Sequence, residues 1–376
     1  MIEARAYQQC TRCVMDTTDL HIRFDANGYC NHCTGLLAIF SHPLYLRKFN
    51  EAGFERLIQK IKRAGRGRKY DCVIGISGGV DSCYLAYQLK QHSVRILLVH
   101  MDNGWNSEEA VRNIKSIADT LNVNYEAFVL DWEEFKDLQR SFLKASVVEA
   151  ETPTDMAILG ALYRVAARHG IKFIASGGNL ATEGILPDDW HYDRKDMKYL
   201  RAIQKLYGTR RLKHFPTFTF WEILWYKFIK QIKIIYPLNY FPFSKDNAIS
   251  VLTSQMNWRT YGGKHYESRY TKFIQSYLLP QKFNIDYRKA TFSSQICSGS
   301  MTRADALARL KLALYNEDEI EREKNFIAKK LDLTKDELEV ILKSPAKSYR
   351  DYPNNKKVLD FFYKMYRKMF SVLYKG

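Results

Sequence analysis

One short block of the sequence combines the residue types needed to hold a phosphate chain. The block is Ser77, Gly78, Gly79, Val80, Asp81 and Ser82. Its two glycines let the backbone turn tightly and approach a ligand without Cβ clashes. Successive amides of such a turn, followed by a helix N-terminus, make a cradle for an anion. The two serines add hydroxyl donors, whereas Asp81 is suited to hold Mg²⁺. The block predicts a loop that binds the phosphates of a nucleotide.

Two other segments are expected to face the same crevice, because ligands of open sheets lie beyond the carboxyl ends of the strands. One apolar run ends in His-Met followed by Asp102 and Asn103. Another ends in Ser176 followed by Gly177, Gly178 and Asn179, a second glycine turn. Together with the first loop, these segments predict one nucleotide site.

Four cysteines near the N-terminus form two close pairs, Cys10 with Cys13 and Cys30 with Cys33. Pairs of this spacing make metal knuckles, and four thiolates satisfy a tetrahedral Zn²⁺ ion. A closed, structural zinc site is expected, with an iron–sulfur cluster or redox pairs as the alternatives. His21 and His32 are then not needed as ligands and are expected at the surface.

The elements that position these residues alternate along the chain. Short apolar runs separated by helical patterns predict buried strands in a parallel, doubly wound α/β sheet. The predicted strands are 72–77, 94–101, 125–130 and 171–176, and the predicted helices between them are 81–92, 107–121 and 155–169. The predicted domains are a zinc-ribbon module (1–45), a nucleotide-binding domain (46–205) and an aromatic-rich, mainly helical region (206–376).

The bulk composition limits the partners. Lys and Arg outnumber Asp and Glu by 58 to 41, a formal charge of +17, which favours a polyanionic partner unless the charge is only a solvated basic face. No run of 18 apolar residues predicts a membrane span, and the first residues lack the apolar core of a signal peptide. A cytoplasmic protein is expected, with the basic aromatic segment 364–375 leaving peripheral membrane contact open.

The block at 77–82 is not a Walker A sequence and resembles the SGGxDS signature of ATP pyrophosphatases (PP-loop enzymes), which include NAD synthetase and tRNA thiolases. Together with the cysteine module, three long stretches resemble the N-acetyl sugar amidotransferases, WbpG-like enzymes of bacterial surface-polysaccharide synthesis. They are SGGNLATEGILPDDW (176–190), NWRTYGGKHYESRYTKFIQ (257–275) and DYRKATFSSQICSGSMTRADAL (286–307). This resemblance implies an adenine nucleotide alpha hydrolase-like fold.

The resemblance also implies a reaction. ATP and Mg²⁺ adenylate the acetamido oxygen of a nucleotide-linked N-acetyl sugar, and ammonia then replaces that oxygen to give an acetamidino sugar, AMP and pyrophosphate, as in LPS O-antigen biosynthesis. The sequence has Ile2 where a glutaminase would need cysteine, and Cys297 lacks the setting of a nucleophile elbow. Ammonia is therefore expected from a separate glutaminase with a cyclase-like barrel subunit.

Residues of the later stretches are assigned roles as hypotheses. The catalytic candidates, which would act on developing charge or protons, are Asp81, Lys264, His265 and Arg269. The substrate-binding candidates are Glu183, Arg259, Glu267, Ser293, Ser294 and Ser298. A structural hydrogen bond or a surface position is the alternative for each.

Two other functions stay open. Some PP-loop tRNA thiolases also join a zinc ribbon to this loop and are basic, although they commonly need further cysteines near the loop. Here Cys83 and Cys297 stand alone in the sequence, and nucleic acid is not the expected partner. A non-catalytic scaffold of a polysaccharide complex is the other alternative, against which the intact loop argues.

Overall fold

The computed structural model describes residues 6–260 and 266–373. Strands in this part of the chain form one five-stranded sheet in the order β3-β2-β1-β4-β5, with every pairing parallel. The strands are β1 (Cys72–Gly75), β2 (Ile96–Asp102), β3 (Asn124–Val129), β4 (Phe173–Ala175) and β5 (Lys233–Ile235).

The helices that precede β5 connect and cover these strands. They are α1 (Asn31–Ser41), α2 (Pro43–Lys48), α3 (Glu51–Ala64), α4 (Val80–Gln91), α5 (Glu108–Leu121), α6 (Trp132–Ala145), α7 (Thr152–Arg168), α8 (Leu180–Glu183), α9 (Met197–Tyr207) and α10 (Phe220–Leu224). A π-helical segment, Trp225–Ile229, continues α10.

Successive residues of the central strands point into two different cores. Val73 and Leu97 pack into a buried cluster that includes Phe135 of α6, whereas Ile74 and Leu98 pack into a second cluster with residues of α3, α4 and α5. Both sheet faces are therefore covered by helices, which confirms the predicted doubly wound α/β fold. Each fully buried aliphatic side chain contributes about 1.5–3 kcal/mol, so the two-sided core fixes the strand ends firmly.

The strand order has a switch point between β1 and β4. The chain moves outward from β1 through β2 to β3, then returns to add β4 and β5 on the other side of β1. A crevice opens at the carboxyl ends of the two strands that flank such a switch point. The loops after β1 and β4 begin at Ile76 and Ser176, so both glycine turns lie at this crevice.

The chain after β5 is mainly helical, as expected. Its helices are α11 (Lys245–Met256), α12 (Arg269–Phe273), α13 (Leu279–Phe283), α14 (Tyr287–Cys297), α15 (Arg303–Leu310), α16 (Glu317–Lys330), α17 (Lys335–Lys343) and α18 (Lys356–Leu373), with a π-helical segment Ile274–Leu278 between α12 and α13. Each described helix is too short or too polar to cross a membrane. β5 lies beyond the predicted boundary at residue 205, yet it pairs with β4 in the same sheet.

The cysteine module docks on this later part of the chain, with α1 packed against α14. The backbone amide of Val14 donates to Ser293 Oγ over 3.2 Å. The guanidinium of Arg303 donates to the carbonyl oxygens of Cys10 and Cys13, each at 3.0 Å. The N-terminal module and α14–α15 therefore form one packed unit.

Candidate functional site

The first glycine loop is held in a backbone conformation that only glycine adopts easily. Gly78 has φ +82°, and a Cβ at this position would lie 2.4 Å from the carbonyl oxygen of Ala110 in α5. The indole Nε1 of Trp258 donates to the Gly78 carbonyl oxygen over 2.9 Å. The loop is thus held between α5 and Trp258, which lies two residues after the end of α11.

The serines of the loop stabilise its closed shape. The Oγ atoms of Ser77 and Ser82 lie 3.3 Å apart, and the Gly79 amide donates to Ser77 Oγ over 3.2 Å. Helix α4 begins at Val80 without a side-chain cap, whereas α5 is capped by a serine. The N-cap residue of α4 is Gly79, so no N-cap side chain covers the start of this helix, and an uncovered helix N-terminus is suited to bind phosphate.

The second glycine loop lies directly against the first turn of α4. A Cβ on Gly177 would lie 2.9 Å from the carbonyl carbon of Asp81 and from the amide nitrogen of Ser82. Asn179 is buried, and its Oδ1 accepts from the backbone amide of Thr182 at the start of α8. Asn179 therefore shapes the turn, and the nucleotide contact expected of it stays a prediction.

The end of β2 is tied to the first loop through His100. Its Nδ1 lies 3.1 Å from the Ile76 carbonyl oxygen and donates to it, while Nε2 lies 3.0 Å from the side-chain amide of Asn106 and accepts from it. Burial lowers the pKa of His100, so the ring is neutral at pH 7. Asp102 and Asn103 follow, and their Oδ1 atoms accept from backbone amides two residues ahead. These two side chains build a turn at the strand end.

A cleft of about 1930 Å³ opens beside both loops. It is lined by nine of the residues predicted for the site: Ser77, Gly79, Asp81, Ser82, Asn103, Gly177, Gly178, Glu183 and Glu267. Lys264 and His265 lie outside the described residues, so their predicted catalytic roles stay predictions.

The two remaining predicted cations do not reach the cleft. Arg269 forms an ion pair with Glu323 over 2.6 Å, and its guanidinium lies 3.4 Å above the Phe326 ring. Arg259 is exposed, and its backbone is fixed by two hydrogen bonds with Asn113. Both arginines thus have other partners in the structure, and the catalytic role expected of Arg269 and the substrate-binding role expected of Arg259 stay predictions.

The three predicted substrate serines are structural. Ser293 and Ser294 are fully buried, and their Oγ atoms accept from the backbone amides of Val14 and Ile185. Ser298 donates to the Gln295 carbonyl oxygen over 3.0 Å. Ser293 and Ser294 of α14 thus join this helix to the cysteine module and to the α8 loop, and the substrate-binding role expected of the three serines stays a prediction.

Three further residues with functional side chains line the cleft, and two of them were not predicted. A Cβ on Gly178 would lie 3.2 Å from Glu183 Oε2 and 3.4 Å from Tyr236 Cε1, so both side chains adjoin the second glycine loop. Arg194 lies in the same cleft 3.5 Å from Asp155, whose charge raises the pKa of the guanidinium. Tyr236 directly follows β5, and Arg194 lies in an irregular segment, so neither belongs to a recognisable motif.

A buried carboxyl group also borders the cleft. Burial raises the pKa of Glu149 to about 7. A hydrogen bond that the Tyr199 hydroxyl donates to this carboxyl group over 3.2 Å acts in the opposite direction and lowers the pKa. At neutral pH this side chain is partly protonated. It is the kind of group that the sequence alone does not reveal, because its character depends on burial.

The four cysteines of the module form one compact, buried cluster. Their Sγ atoms all lie within 4.8 Å of one another, with 3.8 Å between Cys10 and Cys33 and 3.5 Å between Cys13 and Cys30. Zn–S bonds of about 2.3 Å in a tetrahedron set sulfur–sulfur distances of about 3.8 Å. The cluster therefore fits a single metal ion, whereas a [4Fe–4S] cube would hold its thiolates farther apart because each binds a different iron.

Neighbouring polar residues fit a closed metal site. Backbone amides donate to the cluster, from Cys13 and Cys30 to Cys10 Sγ and from Cys33 to Cys30 Sγ. His32, expected at the surface, is largely buried and pairs with Asp19 at 2.5 Å instead of joining the cluster. Cys297, isolated in the sequence, has its Sγ 3.9 Å from the Cys33 carbonyl oxygen and so lies beside the module.

Two family models match separate parts of the chain. Residues 267–369 match the model described as LPS biosynthesis protein WbpG-like, C-terminal domain, and residues 71–167 match that of the queuosine biosynthesis protein QueC. No curated protein matches the chain significantly.

Three solved structures are similar to this chain at low identity. The U34-tRNA thiolase NcsA of Methanococcus maripaludis, described with its [4Fe-4S] cluster, is 14% identical with a TM-score of 0.35 over 90% of both chains. An NH3-dependent NAD synthetase of Campylobacter jejuni is 17% identical (TM-score 0.28, 41% of this chain and 71% of that one). An NMN synthetase of Francisella tularensis is 11% identical (TM-score 0.30, 57% and 97%).

Proposed function

We propose that this chain, which joins a PP-loop nucleotide-binding domain to a WbpG-like C-terminal domain, is an ATP-dependent amidotransferase. Its substrate is the acetamido group of a nucleotide-linked N-acetyl sugar, and its products are an acetamidino sugar, AMP and pyrophosphate. The reaction serves the synthesis of a bacterial surface polysaccharide or related glycan.

One observation carries the proposal: both matched regions line the same cleft. Ser77 and Asp81 come from the region that matches QueC, and Glu267, Arg288 and Gln295 from the WbpG-like region. A cleft shared in this way supports a reaction in which the first region binds ATP while the second helps to bind the group that ATP activates.

The first step activates a poor electrophile. The triphosphate binds with its β and γ phosphates on the amides of the 77–82 loop, so that the α-phosphorus faces the acceptor. The acetamido oxygen attacks the α-phosphorus, a new O–P bond forms, and the bond to the β-phosphate oxygen breaks with loss of pyrophosphate. The loop amides and the α4 N-terminus stabilise the charge that develops on the leaving group.

The second step replaces the adenylated oxygen. Ammonia attacks the imidate carbon, a C–N bond forms, and the C–O bond breaks as AMP leaves with the electron pair. One ammonia proton must be lost for the amidinium product to form. Glu183, beside Gly178, is suited to orient ammonia and to accept that proton, because it lies at the end of the cleft next to the nucleotide loops.

Arg194 and Tyr236 replace the predicted arginines as binding groups for the acceptor. Arg194 offers a guanidinium to the diphosphate of a nucleotide sugar. Tyr236 is half-exposed and adjoins Gly178, so its ring can pack on a base or a sugar. The two side chains place an anion site and an apolar face beside the ATP loop.

Two metals fit the residues present. Asp81, in the first turn of α4 and lining the cleft, would hold Mg²⁺, which neutralises phosphate charge. The four-cysteine cluster would hold a structural Zn²⁺ ion. Metal analysis of the purified protein tests the second assignment: one zinc per chain is expected, whereas iron with visible charge-transfer absorption would contradict it.

We propose that ammonia comes from a separate glutaminase subunit in the cytoplasm, where ATP and nucleotide sugars are available. Cys72 and Cys83 are fully buried, and burial raises the pKa of both thiols, which makes them poor nucleophiles. The purified chain should therefore use ammonium salts and not glutamine. Glutamine-dependent turnover by the chain alone would refute this source.

Mass spectrometry of the acceptor tests the reaction itself. Candidate acetamido nucleotide sugars are incubated with the protein, ATP, Mg²⁺ and ammonium. Exchange of oxygen for NH lowers the acceptor mass slightly, whereas exchange for sulfur in a tRNA substrate raises it by a much larger step. No pyrophosphate release with any acetamido sugar would count against an enzyme of this class.

A further inference from the structure

An exposed aromatic surface lies on the helical segment that leads into β5. Its members are Trp221, Trp225, Phe228 and Ile229, spaced so that they share one face of the helix. Trp221 is 76% exposed and Ile229 is 69% exposed. Large apolar side chains grouped in this way mark an interaction site.

The segment that carries this surface is held firmly to the protein. Thr219 and Glu222 form a reciprocal capping box at the start of α10. On the inner side, Tyr226 is buried, with its ring 5.0 Å from that of Tyr163 in α7. The segment therefore has a well-packed inner face, and its outer face is apolar without packing on the described fold.

Lysines lie at the level of the exposed rings. Lys230 Nζ lies 4.8 Å from the Trp225 ring centre, and Lys227 Nζ lies 5.9 Å from that of Phe228. Helix α18 extends the surface, since Phe362 packs on Phe220 with ring centres 4.7 Å apart and Phe361 is exposed. Aromatic rings and ammonium groups are thus mixed in a single layer.

We propose that this aromatic surface docks on an anionic lipid surface. Tryptophan and lysine together are typical of segments that lie in the membrane interface, where indoles sit at headgroup level and ammonium groups meet lipid phosphates. Protein interfaces favour arginine over lysine as their cation, whereas the cations described beside these rings are lysines. The excess of 17 positive charges acts in the same direction.

Docking in this orientation would bring the cleft close to the lipid. Lys195 and Tyr363 line the cleft, and Lys195 Nζ donates to the Tyr363 hydroxyl over 3.1 Å. Tyr363 directly follows Phe362, which packs on Phe220, so α18 connects the aromatic surface to the cleft. The proposal does not depend on which reaction the cleft performs.

Vesicle flotation of the full chain tests the proposal. Binding is expected to vesicles of phosphatidylcholine mixed with phosphatidylglycerol, and not to phosphatidylcholine alone. Trp221→Ser with Ile229→Ser should weaken binding by at least about tenfold. The matched control is Val129→Ser with Val340→Ser, at positions 68% and 69% exposed; Val129 ends β3, the strand at the opposite edge of the sheet from β5. Circular dichroism checks that both double variants remain folded.

Two further variants separate insertion from simple charge attraction. Lys227→Glu with Lys230→Glu should weaken binding on the order of tenfold and reduce its salt dependence. Vesicles should shift the tryptophan emission to shorter wavelength, and Trp221→Phe with Trp225→Phe should abolish the shift without abolishing binding. Absence of vesicle binding, or equal loss in the control variant, would overturn the proposal. So would dimers that Trp221→Ser with Ile229→Ser dissociates, which would identify a protein contact.

Discussion

Replacing Gly78 by alanine tests whether the 77–82 loop depends on the left-handed backbone of this residue. The substitution puts a side chain at φ +82°, which costs about 1–2 kcal/mol for a residue with a Cβ. That Cβ would lie 2.4 Å from the Ala110 carbonyl oxygen, and a main-chain oxygen in α5 cannot move aside as a side chain would. Overpacking of this kind adds about 1–3 kcal/mol. The free energy of unfolding should therefore fall by about 2–5 kcal/mol.

Gly67→Ala is the matched control, because Gly67 has φ +70° but a Cβ added there would meet no atom within 4 Å. Urea unfolding of both variants separates the conformational cost, about 1–2 kcal/mol in each, from the steric overlap, which affects only Gly78→Ala. Calorimetric titration with a non-hydrolysable ATP analogue should show binding weakened by about tenfold or more in Gly78→Ala alone, since loss of one hydrogen bond to a charged group costs about 1.5–3 kcal/mol. Equal stability of the two variants, with unchanged nucleotide affinity, would refute this geometry of the loop.

Three other substitutions probe the cleft and its supports. Arg194→Ala should raise the KM for the sugar nucleotide by about tenfold or more and leave the KM for ATP unchanged, since it removes a charged donor. The control, Arg259→Ala, lies outside the cleft and should change neither KM. An equal effect of the two substitutions would argue against the assignment of Arg194 to acceptor binding. Ser293→Ala should lower the free energy of unfolding by about 1–3 kcal/mol because the buried Val14 amide loses its acceptor, and a selective change in acceptor KM would instead restore its predicted substrate role. Glu149 has a folded-state pKa of about 7, above its ordinary value of 4.5. Protonation of this side chain therefore contributes to the free energy of unfolding fully below pH 4.5, and this contribution is lost as the pH rises through 7. Glu149→Gln should remove this loss, leaving the variant more stable than the wild type at pH 8 by up to about 3 kcal/mol, and parallel stability–pH curves from pH 4 to 8 would contradict it.

The sequence alone was sufficient to predict the features that depend on the conformation of the backbone. The first loop was predicted because a strand, two glycines and a helix follow one another, an order that favours an anion cradle. The positions of β1 and β2 were also predicted well, since these central strands are buried on both faces and read as continuous apolar runs. The observed ends differ by a few residues; β1, for example, ends at Gly75 where residue 77 was expected.

The roles of side chains in the second half of the chain could not be predicted from the sequence in the same way. Ser293 and Ser294 are polar residues on a buried helix face, and nothing local distinguishes a hydroxyl that joins two modules from one that binds a sugar. β5 was missed because its three residues lie within a longer aromatic run and show no alternation. Tyr236 and Arg194 acquire their positions only when β5 and the irregular segment before α9 meet at the sheet edge.

The docking of the cysteine module on Arg303 has a consequence for biosynthesis. The contact joins residues 290 positions apart, so the cysteine module leaves the ribosome long before Arg303 is available to complete its packing. The proposed metal ion would be bound by four cysteines that lie within 24 residues of one another, and this local closure would require no distant partner. Zinc supply during translation would then decide whether a finished docking face is present when α14 and α15 emerge, and a shortage should yield chains with a folded sheet and an unassembled C-terminal half.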